Sequence, residues 1–272
     1  MAHRLDDRAV IALSGPEARG FLQGLITNDV ERLAPGKGLY AALLTPQGKI
    51  LFDFLIVEGD GAVLLDCTAG SRDALLKRLR MYRLRAKLEI EARDQLAVLV
   101  GLTGRPVQYG VTFADPRLEA LGHRTIGARA EMPEDASNGS AKYREHRLDL
   151  GVPEGADFGS DRMFALDAGL DELHGVSFDK GCYVGQELTA RMKHRGTARK
   201  RLLPVKSLDG SALPQSDTPL KVTGRNIGEI TTVYGARGFA LVRLDRLEEA
   251  GDAAIDAGGV RVGLVKPSWL FA

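Results

Sequence analysis

Residues 39–67 read Leu39-Tyr40-Ala41-Ala42-Leu43-Leu44, Thr45-Pro46-Gln47-Gly48, Lys49-Ile50-Leu51-Phe52-Asp53-Phe54-Leu55-Ile56-Val57, Glu58-Gly59-Asp60-Gly61 and Ala62-Val63-Leu64-Leu65-Asp66-Cys67. Three apolar runs are separated by Pro-Gln-Gly and Gly-Asp-Gly, residue types that reverse a chain. Connections this short join antiparallel strands. The spacing predicts strands over 39–44, 49–57 and 62–67.

Upstream, Val10 to Leu13 is a further short strand, and Ser14-Gly15-Pro16-Glu17 has the spacing of a capping box with proline in the first turn. Phe21, Leu22, Leu25 and Ile26 then recur at helical intervals. Downstream, Ser71 precedes a helix with Leu75, Leu79 and Tyr82 on one face. Its other positions carry Arg72, Lys77, Arg78, Arg80 and Arg83, followed by Arg85 and Lys87. Residues 87–92 and 96–102 are strand-like, so the N-terminal half reads as α+β with an antiparallel sheet.

Residues 103–140 are rich in turn signals, with a short strand over 108–113. Residues 142–150 are helical and stop at Gly151, with Pro153 beyond. From about Thr197 the pattern changes: runs at 202–205, 229–233, 239–244 and 260–265 alternate with Gly- and Asp-containing turns. That is the pattern of a small all-β barrel or sandwich.

The chain has 272 residues, 44% of them hydrophobic. At roughly 100–150 residues per domain, two or three are expected. Lys plus Arg is 37 against 36 Asp plus Glu, a balance that argues against a dedicated DNA-binding protein. The start, Met1 to Asp7, has no apolar stretch of a secretory signal. No window is apolar enough to span a membrane. A cytoplasmic protein with no membrane partner is the resulting expectation. Two cysteines in unlike contexts, Cys67 and Cys182, fit free thiols and cannot form a four-thiolate cluster site within one chain. The five histidines show no ligand spacing, so no metal is expected.

The most informative segment is Phe178-Asp179-Lys180-Gly181-Cys182-Tyr183-Val184-Gly185-Gln186-Glu187. Glycines around Cys182 suggest an irregular backbone before a helix that runs towards Gly196. A thiol near a helix start and a lysine is in a setting that favours thiolate. A small buried cysteine beside a turn is the plain alternative.

Lys-Gly-Cys-Tyr-x-Gly-Gln-Glu resembles the signature of the YgfZ family, relatives of the glycine-cleavage T protein implicated in iron–sulfur protein maturation. Phe21 to Val30 resembles the family's first helix and Thr-Asn-Asp exit, and Pro46 to Asp53 its following hairpin. Tyr143-Arg144 through Arg147 to Pro153 resembles its later helix. Two departures stand out: Ala165-Leu166-Asp167 replaces a Pro-x-Glu-like element, and Phe52-Asp53 keeps one carboxylate of the T protein's acidic pair.

The resemblance implies a T-protein-like ring of three domains, two α+β (ferredoxin-like) units and a C-terminal β-barrel. The expected division is 1–46 with 143–196, then 47–142, then 197–272. Tetrahydrofolate would occupy the central opening. Asp53 would meet pterin N–H groups, Arg144 and Arg147 the glutamate tail, with Tyr183, Gln186 and Glu187 beside the signature. Cys182 would be the reactive group and Lys180 would lower its pKa. The function implied is that of a folate-binding accessory factor serving iron–sulfur client proteins or their assembly machinery. Aminomethyl or methyl transfer and a role in tRNA modification, with weak RNA binding by the basic helix, are the alternatives.

Overall fold

The computed structural model describes residues 2–103, 109–132, 138–196 and 199–270. In chain order the strands and helices are β1 (Ala2–Arg4), β2 (Arg8–Ser14), α1 (Ala18–Gln23), β3 (Leu39–Leu44), β4 (Ile50–Gly59), β5 (Ala62–Thr68), α2 (Arg72–Arg83), β6 (Glu89–Ala92), β7 (Leu96–Gly101), β8 (Val111–Ala114), β9 (His123–Ala128), α3 (Ser140–Asp149) and α4 (Gln186–Arg195). The remainder are β10 (Lys200–Ser207), β11 (Pro219–Val222), β12 (Arg225–Tyr234), β13 (Arg237–Arg243), α5 (Leu244–Ala250), β14 (Ile255–Ala257) and β15 (Val260–Leu264).

The quoted meander forms as read: β3 pairs with β4 and β4 with β5, both antiparallel. It extends into a five-stranded sheet in the order β3-β4-β5-β2-β6. Both faces of this sheet are covered, which explains its near-continuous apolar runs. Ile11, Leu13, Leu43, Phe54, Ile56 and Leu65 face the core shared with α1 and α2. Val10, Ala12, Tyr40, Ala42, Leu55 and Leu64 face the other way, into a second core. The period of two thus decides which side each residue joins.

A four-stranded sheet, β1-β7-β9-β8, contributes Val98, Val100, Phe113 and Ile126 to that second core. Strands β10 to β15 close into a barrel in the order β10-β13-β12-β11-β14-β15, so the all-β change read near residue 197 is a closed six-stranded barrel. The expected cut between 46 and 47 falls inside the β3–β4 hairpin. The sheets divide the chain differently, because β2 pairs with β5 and β6 and so draws residues 8–92 into one sheet.

The capping box at Ser14 does not form. Ser14 ends β2, the helix starts at Ala18, and Glu17 makes no side-chain cap. Its carboxylate accepts the amide of Lys87 instead, at 3.0 Å.

Between the sheets lies a cluster of buried charges that sequence reading missed. Arg124 donates to Asp66 at 2.7 Å and Asp115 at 3.1 Å. Arg117 reaches Asp115 and Glu154, each at 2.8 Å. Arg8 pairs with Asp66 at 2.6 Å, and Arg147 with Asp157 at 2.6 Å. The Tyr143 hydroxyl accepts from Arg117 and Arg124. Burial pushes the Glu154 carboxyl up, but Arg147, Arg117, Arg8 and Arg124 outweigh it and hold it well below the usual range. Charges are buried only when paired in this way. The cluster reaches the barrel, where Thr232 and Tyr234 donate to Asp157 at 2.6 and 3.1 Å.

Candidate functional site

The signature segment has no regular structure until α4 begins at Gln186, and three devices fix its position. The first is the Thr27-Asn28 exit from α1. Thr27 Oγ1 donates to the Gly175 carbonyl at 2.6 Å, and the Ser177 amide donates to the Thr27 carbonyl at 2.9 Å. Asn28 Nδ2 bridges the carbonyls of Tyr40 and His174, both at 2.7 Å.

Lys180 is the second. Its side chain is buried, and Nζ donates to the carbonyls of Ile26 at 2.8 Å and Asn28 at 2.7 Å. Burial lowers its pKa to about 8. Sequence reading set this ammonium beside the thiol; here its hydrogen bonds go to two backbone carbonyls, where it acts as a clamp.

Gly185 is the third. It adopts φ +84° as the N-cap of α4, a conformation that disfavours every residue with a Cβ. A Cβ there would lie 2.5 Å from the Thr45 carbonyl oxygen, 2.9 Å from Leu44 Cβ and 3.1 Å from Gly48 Cα. The signature loop therefore seats backbone to backbone on the β3–β4 turn.

Tyr183 and Val184 anchor it from either side of the sheet, Tyr183 in the core between the sheets and Val184 against the core under α1 and α2. Burial pushes the Tyr183 hydroxyl up to about 12. Between these anchors Cys182 is exposed. Cys67 is its opposite, buried, donating to the Ala9 carbonyl at 3.6 Å and with burial pushing its thiol up to about 12.

Of the residues expected to hold folate, Asp53 and Arg147 both lie beside Glu154 in the buried charge cluster, where each is taken up by partners within the protein. Asp53 is buried, accepting the Gly155 amide at 2.9 Å and the Tyr40 hydroxyl at 3.2 Å, and burial raises its pKa. Arg147 is buried among Asp157, Glu154 and the Phe239 ring. Arg144 is 3.6 Å from Asp7 at the surface and stacks over Tyr234. Gln186 and Glu187 occupy the first turn of α4, half-buried and exposed respectively.

A cavity of about 490 Å³ opens nearby instead, lined among others by Asn28, Arg32, Lys37, Tyr40, Asp171 and His174. Asn28 joins it to the signature, since its side chain lines the cavity and its carbonyl holds Lys180. The Asp171 carboxylate at the cavity's edge is engaged within the protein: Oδ2 pairs with Lys193 at 3.0 Å, and buried Oδ1 lies 4.0 Å from the Arg201 guanidinium. Arg32 and Lys37 supply cations at the same cavity. Asn28, Leu39 and Tyr40 lie in stretches that sequence reading used, but none of them was read there as lining a ligand cavity. Among the described residues, no group of three His, Cys, Asp or Glu side chains could hold a metal ion.

Comparison with known proteins fits this geometry. Residues 7–106 match the N-terminal domain of the glycine-cleavage T protein, and residues 199–272 match the C-terminal β-barrel domain of CAF17. The human mitochondrial iron–sulfur cluster assembly factor IBA57 is 33% identical over 98% of this chain and 84% of its own length. The chain belongs to the YgfZ/IBA57 family of the T-protein superfamily. The mouse factor of the same name is 34% identical over 90% of this chain and 78% of its own. A crystal structure of aminomethyltransferase T from Bartonella henselae superimposes with a TM-score of 0.77 over 99% of this chain and 86% of that one, at 17% identity. That likeness shows the fold: a T-protein-like α+β arrangement with a C-terminal barrel. The expectation of a cytoplasmic protein is overturned, because these IBA57 relatives are mitochondrial.

Proposed function

We propose that this chain is an assembly factor for iron–sulfur proteins, working with the assembly machinery through Cys182, and that it carries a tetrahydrofolate-type ligand. The observation carrying this reading is the exposed Cys182 thiol on a loop held by Lys180, Asn28 and Gly185. An accessible thiol on a fixed backbone offers a soft ligand or nucleophile at a defined position. The IBA57 relatives are named as iron–sulfur cluster assembly factors.

The cavity beside Asn28 suits the ligand's chemistry. Arg32 and Lys37 would pair with the carboxylates of its glutamate tail. Tetrahydrofolate supplies a one-carbon carrier when bound; the chain's residues orient it beside the signature loop. Asp53, in contrast, is committed to Gly155 and Tyr40, which weakens the aminomethyl-transfer alternative.

The test is a gene deletion complemented with wild type or Cys182→Ala, assaying iron–sulfur enzymes and glycine cleavage in the same extracts. Lost iron–sulfur activity, restored by wild type and not by Cys182→Ala, is the expected result. Intact iron–sulfur enzymes with failing glycine cleavage would sink this reading.

A further inference from the structure

The C-terminal end of α2 and the turn after it form a patch that the signature site does not use. Lys77, Arg80, Met81, Arg83, Leu84, Arg85 and Lys87 are all exposed there, and residues 77–87 include no acid. The whole chain carries a net charge of only +1, so these five cations are a local concentration. Among the described residues, Lys77, Arg83, Arg85 and Lys87 have no acidic partner. Met81 and Leu84, at 61% and 85% exposure, are among the few large hydrophobic side chains so open to water.

Leu84 is not a frayed end. It is held at φ 46°, a left-handed value that a non-glycine residue adopts only when its surroundings impose it. The following chain is fixed: the Ala86 amide donates to the Arg83 carbonyl at 2.8 Å, and the Lys87 amide to Glu17 at 3.0 Å. On the other side, Leu75 and Leu79 lock α2 onto the sheet. A fixed backbone thus holds two aliphatic tips outward within a ring of cations. A shallow depression between Leu76 and Met81 continues the same surface, lined by Lys77, Arg80 and Asp73, whose carboxylate pairs with Arg72 at 2.9 Å.

We propose that this patch docks the protein peripherally on an anionic lipid surface, with Met81 and Leu84 entering the headgroup region and the cations pairing with lipid phosphates. The shape favours lipid over a folded partner, because the aliphatic tips project from a helix end. Basic residues around an apolar tip are the combination that binds anionic membranes. Among the described residues no helix is long and apolar enough to cross a membrane, so the proposed association is with the surface. The sequence-level expectation of no membrane partner rested on the lack of a span, and the exposure of Leu84 becomes visible only in the fold.

The test is flotation of the full chain with mixed phosphatidylcholine and phosphatidylserine vesicles against pure phosphatidylcholine vesicles. Binding to the anionic vesicles only, weakened by added salt, is expected. Each surface cation contributes about fivefold in affinity, so Lys77→Glu with Arg85→Glu should weaken binding by at least about 20-fold. Met81→Ser with Leu84→Ser should weaken it roughly tenfold while leaving thermal unfolding unchanged, since both side chains are exposed. The proposal is overturned by absence of vesicle binding, by binding that both double variants retain, or by salt-sensitive binding of single-stranded RNA without vesicle binding.

Discussion

Gly185→Ala tests whether backbone contact with the β3–β4 turn positions Cys182. Two terms add. The left-handed φ of +84° disfavours alanine by about 1–2 kcal/mol. The new methyl would then sit 2.5 Å from the Thr45 carbonyl oxygen and 2.9 Å from Leu44 Cβ, well inside contact. Overpacking against unyielding neighbours typically adds about 1–3 kcal/mol, giving about 2–5 kcal/mol in all. Two other glycines separate the terms. Gly61 has φ +68° with nothing within 4 Å of its would-be Cβ, so Gly61→Ala isolates the backbone term. Gly181, beside the cysteine, has neither a positive φ nor a near neighbour, so Gly181→Ala should stay within about 0.5 kcal/mol of wild type. Urea unfolding ranks the three variants, and thiol labelling of the folded proteins reads the loop, because buried Cys67 is protected. The order Gly185→Ala, Gly61→Ala, Gly181→Ala in destabilisation is expected, with an altered labelling rate only in the first. Equal stability of Gly185→Ala and Gly181→Ala would refute the argument.

Glu154→Gln leaves Arg8, Arg117, Arg124 and Arg147 with one carboxylate fewer in a buried site, and should destabilise by about 3–5 kcal/mol in urea unfolding. Burial raises Asp167 to about 6. Since its folded pKa exceeds its unfolded value, the native state binds the proton more tightly, and stability falls as pH rises from about 4 to about 6. Asp167→Asn should flatten that slope in unfolding curves taken across the range; an unchanged slope would show that the group does not titrate there.

The meander and the barrel were legible because their information is local: alternation along 39–67, turns of Gly, Asp and Pro, and the change of pattern after 197. What could not be read depends on partners distant in sequence. Strand β9 was overlooked because His123-Arg124-Thr125 looks wet, yet Arg124 is fully buried between Asp66 and Asp115. Arg147 was given to the ligand by the resemblance, whereas its partners Glu154 and Asp157 are close in sequence but meet it only because the chain turns back after α3. The signature loop was found and the exposed Cys182 with it. Lys180 was assigned by proximity to the thiol, whereas its position follows from carbonyls more than 150 residues earlier in the chain. Asn28, Leu39 and Tyr40 stood in stretches that were read, but only folding brings them together with Asp171 and His174 around one cavity.

Strand β10 serves two interiors. Leu202 joins the core between the sheets, while Leu203 and Val205 join the barrel's own. Arg201 on the same strand reaches Glu172 at 2.6 Å, and Trp269 Nε1 returns from the chain's end to the Leu150 carbonyl at 2.9 Å. The barrel is therefore not a module that recombination can exchange intact. A graft from a relative would need a carboxylate at Glu172 to meet Arg201 and an apolar seat for Leu202 between the sheets, which ties the evolutionary drift of the barrel to that of the segment just upstream.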